Sequence, residues 1–157
     1  MPSFHTQTRP PSALANQTNG NATVLLHCVR ALLVSPHMEV RHPLLRTLQA
    51  LSADVTVCST RAQAEEALSR QAFEIVFCDE HLPDGSDCDL IHSFGRDDGI
   101  PRVVVTTRTG EWELYFEAIR KGAFDVIRSP WHATDVELAV IRASREQDRT
   151  ALSRGVA

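Results

Sequence analysis

The residues best placed to do chemistry follow an apolar run. Glu74-Ile75-Val76-Phe77-Cys78 ends in Asp79, and Glu80-His81-Leu82-Pro83-Asp84-Gly85 then supplies Pro-Asp-Gly turn chemistry. This pattern places Asp79 at the C-terminal end of a strand. In an open parallel α/β sheet ligands gather at that edge, so a carboxylate there is a candidate phosphoryl acceptor, nucleophile or metal ligand. Glu80, His81, His37 and Arg108 fall on loops expected to rim the same edge. A different ion held by Asp79, His37 or Glu80 stays open beside the plainer reading of solvated rim side chains.

Asp79 must be positioned by a regular alternation of elements. Strands are expected at Ala31 to Val34, Asp54 to Cys58, Glu74 to Cys78, Arg102 to Thr106 and Asp125 to Arg128. Between and after them, helical periodicity runs to about Ser52, from Arg61 to Gln71, from Asp87 to Phe94, from about Glu111 to Lys121, and from Ala133 to about Arg149. Five strands alternating with five helices predict a doubly wound, five-stranded parallel sheet covered on both faces. Thr60 with Gln63 has the spacing of a capping box, Gly122 is a helix stop, and Pro101 opens the fourth strand where a missing N–H does little harm.

The 157 residues and 43% apolar content suit one globular domain. A net charge of -4, with acids and bases mixed along the chain, gives no basic face for nucleic acid or an anionic membrane. Cys28, Cys58, Cys78 and Cys88 form no CxxC pair, which fits reduced thiols and a cytoplasmic setting. The apolar run from Ala22 to Val34 is interrupted by His27 and Arg30 and is too short to span a membrane, so no targeting segment is expected. Residues 1–21 read as a flexible tail, 22–150 as the folded domain and 151–157 as a short C-terminal tail.

From about Ala31 to Arg149 the chain resembles the receiver domain of bacterial two-component response regulators, whose fold is the flavodoxin-like (βα)5 sheet. Asp79 falls on that family's phosphoacceptor, with Leu82-Pro83-Asp84-Gly85 matching the turn after it. Thr106 falls on the switch hydroxyl at the end of the fourth strand. Lys121-Gly122-Ala123-Phe124-Asp125 resembles the entry to the fifth strand, and Pro130-Trp131 the loop after it. The resemblance implies a histidine kinase or phosphotransferase as phosphoryl donor, with Thr106 and Ser129 as the remaining phosphate contacts.

The departures are physical. Where the family carries an acidic pair that holds magnesium, register from Arg41 puts Ser35 and Pro36; where it carries a lysine, this chain has Ser129. Val126 stands at the position of the aromatic partner of the switch hydroxyl. Moving a phosphoryl group onto a carboxylate joins two anions that a divalent cation and an ammonium would neutralise. One unscreened pair at ~4 Å with an effective dielectric near 20 costs about 4 kcal/mol, roughly three decades in rate. Ordinary magnesium binding is therefore expected to be weak or absent, with no metal ligands and no cofactor. Arg128 neighbours Ser129, but strand alternation should turn it to the other face.

Pro43 lies two residues after Arg41, where the family's first helix is under way, so that helix should start late, near His42, or be distorted. Trp112, Tyr115 and Phe116 crowd three aromatics onto the fourth helix and mark a candidate partner surface. A homodimer through the fourth helix, fifth strand and fifth helix is a candidate too.

These residues predict a stand-alone receiver with a degenerate phosphorylation site, not an enzyme, that acts by binding signalling proteins. The alternative is a slow but genuine receiver phosphorylated on Asp79. An aspartate-nucleophile phosphatase fits less well, because it needs a second acid where His81 stands.

Overall fold

The computed structural model describes residues 28–86, 90–92 and 101–155. The proposed tail at residues 1–21, Cys88 and most of the predicted third helix lie outside these. Five strands, β1 (Arg30–Val34), β2 (Asp54–Cys58), β3 (Ile75–Asp79), β4 (Arg102–Thr107) and β5 (Asp125–Arg128), form one sheet in the order β2-β1-β3-β4-β5. Every pairing is parallel. The helices are α1 (Met38–Ala50), α2 (Arg61–Arg70), α3 (helical at 90–92), α4 (Trp112–Lys121) and α5 (Ala133–Arg154). His81–Leu82 and Gly85–Ser86 add a small antiparallel ladder after β3.

Strand alternation sorts the core into two layers. Ala31, Leu33, Ile75, Phe77, Val104 and Ile127 point to one face and meet Leu44 and Leu48 of α1 and Val136, Ala139 and Val140 of α5. Leu32, Val34, Val76, Cys78, Val103 and Val105 point to the other, against Ala64 of α2, Leu90 and Ile91 of α3 and Ala118 of α4. Near-continuous apolar strands are what a sheet buried on both sides requires.

Most local signals act where they stand in the sequence. Thr60 accepts from the N–H of Gln63 (3.2 Å), although the Gln63 side chain reaches back to the N–H of Ser59 (2.9 Å) instead of that of Thr60. Gly122 ends α4 in the left-handed region, with φ 111°, where a side chain would be strained.

Two expectations need correction. α1 begins at Met38, not near His42, and carries Pro43 in its sixth position. It tolerates the proline because Val40, Leu44 and Leu48 bury the inner stripe while Pro43 faces solvent, so packing outweighs one lost hydrogen bond to the Glu39 carbonyl. α5 also runs on to Arg154, past the predicted end near Arg149 and into the stretch read as tail.

Candidate functional site

The same alternation that sorts the core builds the site. Asp79 continues the Ile75–Phe77 row, Thr106 the row of Val104, Ser35 the row of Leu33, and Ser129 the row of Ile127. All four therefore fall at the C-terminal edge of the sheet on the face covered by α1 and α5. Asp79 and Thr106 are register partners, and the N–H of Glu80 donates to the Thr106 carbonyl at 3.0 Å. Ser35 N–H continues the ladder onto Cys58, and Ser129 N–H continues it onto Thr107.

Asp79 is buried, at 2% exposure, and Ser35 at 0%. The Ser35 hydroxyl donates to Asp79 Oδ2 (3.1 Å), and the His81 N–H donates to Oδ1 (3.3 Å). Ser35 Oγ in turn accepts from the N–H of His37 at 3.2 Å. A buried carboxylate is thus compensated by two neutral donors, with no cation among its hydrogen-bond partners within the described residues. Pro36 has no donor and no ligating side chain.

Thr106 and Ser129 share the face with Asp79, but among the described residues neither side chain hydrogen-bonds it. Strands lie about 4.8 Å apart, so Ser129, two strands away, is roughly 10 Å from the axis of β3. A long ammonium-bearing arm could cross that gap, whereas a hydroxymethyl cannot. Arg128 belongs to the opposite face, where its guanidinium lies against Gly110 and lines a cleft of about 260 Å³ with Thr107, Val126, Trp112 and Tyr115.

The rim is paired in ways the sequence does not reveal. Glu80 is nearly buried at 8% exposure and accepts from Thr107 Oγ1 at 2.8 Å, with the Arg108 N–H at 3.5 Å. Thr107 Oγ1 also accepts from the Thr109 N–H at 3.1 Å. Arg108 Nη2 reaches His37 Nε2 at 3.2 Å, and Arg108 Nη1 lies 3.8 Å from Glu39. Asp84, in the turn after the site, caps α2 with both oxygens: it accepts from the N–H groups of Arg61 (2.7 Å) and Ala62 (2.9 Å). Those backbone donors, Ala62 first and then Arg61, hold the Asp84 carboxyl below its ordinary range. Burial, and secondarily Glu66, pushes the Cys58 thiol up, consistent with a packed rather than reactive cysteine.

On α4, Trp112, Tyr115 and Phe116 are exposed by 74%, 37% and 64%, and their rings touch one another with centroids 5.7 to 6.4 Å apart. Ala118 alone of that helix is fully buried, so these rings cover little of the core.

The family model of the response regulator receiver domain matches residues 31–141, more than half of the chain. The chain belongs to the response regulator receiver family. Among curated relatives, the response regulator protein PilR of Pseudomonas aeruginosa is 30% identical over 101 residues, covering 64% of this chain and 23% of that protein. The virulence transcriptional regulatory protein PhoP of Salmonella typhimurium is 29% identical, covering 69% and 48%. The chain therefore spans half or less of the length of these two curated relatives. Among solved structures, a receiver domain of a putative Luxo repressor protein from Vibrio parahaemolyticus superposes with TM-score 0.68 at 26% identity, covering 77% of this chain and 96% of that one. A receiver domain of an HD domain-containing protein from Pseudomonas fluorescens gives 0.73 at 20% identity, covering 83% and 97%. The beryllofluoride-activated NtrC4 receiver domain dimer gives 0.69 at 23%, covering 74% and 97%.

A receiver domain of two-component signalling is a signal-transduction module, and no helix among the described residues is long and apolar enough to cross a membrane.

Proposed function

We propose that this chain is a degenerate receiver that signals mainly through protein–protein contacts, with phosphoryl transfer to Asp79 slow or silent. The observation that carries the reading is the Ser35–Asp79 contact: the position that would supply a metal-binding carboxylate supplies a neutral hydroxyl, which donates to Asp79. The residues present do not fit a resident magnesium ion. Asp79 is the sole carboxylate of the four site positions, Pro36 offers no ligand, and among the described residues no three His, Cys, Asp or Glu side chains converge as a metal would need.

A slower but genuine receiver is the second reading, favoured by the register pairing of Asp79 with Thr106 on one face. The test is phosphoryl uptake from acetyl phosphate with magnesium, followed by intact mass, with Asp79→Asn as control. No adduct supports the degenerate reading; an Asp79-dependent adduct at the rate of ordinary receivers contradicts it.

The partners are other signalling proteins, in the first place a histidine kinase or phosphotransferase, met in the cytoplasm. The exposed aromatic face of α4 with β5 and α5 is the proposed contact surface, used either for such a partner or for a homodimer, in keeping with the dimer named for the NtrC4 receiver. Neither nucleic acid nor membrane is assigned as a partner.

A further inference from the structure

We propose that Arg108 and His37 form a latch that shuts Asp79 off from incoming groups. The inference rests on reading Asp79 as the acceptor-position carboxylate.

β1 and β4 flank β3 on either side. His37 lies just beyond β1 and Arg108 just beyond β4, so their 3.2 Å contact spans the end of β3, where Asp79 sits. The contacts close into a ring. Asp79 Oδ2 accepts from Ser35, whose Oγ accepts from the His37 N–H; the His37 ring meets Arg108; and the Arg108 N–H faces Glu80, the chain neighbour of Asp79. Asp79 is left 2% exposed at an edge of the sheet that is otherwise loops.

A guanidinium has only donors, so the contact is a hydrogen bond in the neutral tautomer whose Nε2 offers a lone pair; the other ring nitrogen, Nδ1, lies 3.7 Å from Glu39. Glu39 thus faces both the imidazole and Arg108, 3.8 Å from the latter. On the other side, Glu80 anchors Thr107, and Thr109 is tied back to Thr107. The end of β4 and the loop after it, residues 107–109, are therefore held at their base by a buried carboxylate and at their tip by the latch, with no phosphoryl group needed. Gly110 and Glu111 are all that separate this segment from Trp112. A donor or partner side chain that reaches Asp79 has to displace Arg108.

The test reads access to the native carboxylate. The full chain is treated with a water-soluble carbodiimide and glycinamide, and modification is mapped residue by residue by mass spectrometry. Exposed Asp148 serves as a reactive reference, and Glu74, buried at the opposite edge of the sheet, reports unfolding. Asp79 is expected to be protected in the wild type and to react about fivefold or more faster in Arg108→Ala, the factor that roughly 1 kcal/mol of partly exposed pairing supplies. Glu74 should stay slow. If Arg108→Ala accelerates Glu74 as well, His37→Ala decides by the same criterion. Unchanged protection of Asp79 in a variant whose Glu74 stays slow overturns the latch. Carbodiimide reads access and not phosphoryl uptake, so this result stands apart from the acetyl phosphate experiment.

Discussion

Ser35 Oγ stands 3.1 Å from Asp79 Oδ2 and donates to it, so the buried carboxylate proposed as the acceptor is held by a neutral hydroxyl. A hydroxyl that donates to the carboxylate lowers its nucleophilicity without offsetting the charge of an incoming phosphoryl group.

Restoring the charges should restore the chemistry. The triple variant Ser35→Asp, Pro36→Asp, Ser129→Lys is expected to gain phosphoryl uptake from acetyl phosphate by about two to three decades, from the ~4 kcal/mol per uncompensated pair. Ser129→Lys alone should gain little, because one ammonium leaves the metal site unbuilt. Intact-mass time courses with and without magnesium check both.

Pro43→Ala should stabilise the domain. The proline sits in the solvent-facing side of α1 beyond the first turn, where it removes a backbone hydrogen bond and crowds the Glu39 carbonyl. An alanine there is expected to raise unfolding stability by about 1–3 kcal/mol, read from the urea midpoint at unchanged slope.

The α4 rings should matter for association rather than folding. Trp112→Ser with Phe116→Ser removes two exposed rings whose contacts are mainly with each other and Tyr115, so a stability loss of no more than about 1–1.5 kcal/mol is expected. Sedimentation velocity over a concentration series should show any self-association of the wild type abolished in the double variant.

The Asp84 cap predicts an acid dependence confined to α2. Its pKa is depressed in the fold, so its contribution is present above the ordinary aspartate value of 3.8 and is lost as pH falls from there through the lower folded value. Amide resonances of Arg61 and Ala62 should shift with that titration in the wild type and should not in Asp84→Ala.

Much of this was legible in the sequence because strand alternation is a strong signal. Ile75–Phe77–Asp79 and Val104–Thr106 fix the face of the carboxylate and its hydroxyl neighbour by their spacing of two alone. The placement of Arg128 on the opposite face follows from the same rule. The start of α1 was not legible, since Pro43 argues locally against a helix that the Val40, Leu44 and Leu48 stripe enforces through tertiary packing. The pairings of Glu80 with Thr107 and of Arg108 with His37 join residues 27 and 71 positions apart, and side-chain partners at such separations leave no periodic trace. Asp84 reads as turn chemistry, and its use as a cap for α2 depends on how the loop after β3 lies beside the end of β2.

The most direct test of the neutral pocket uses Trp131, which lies in the loop after β5 and packs against the α1/α5 core layer. In a Trp112→Phe background, emission is followed while magnesium and then beryllofluoride are titrated, with Asp79→Asn as control. A flat response across the range in which ordinary receivers respond is predicted; a saturable quench that disappears in Asp79→Asn would contradict the account.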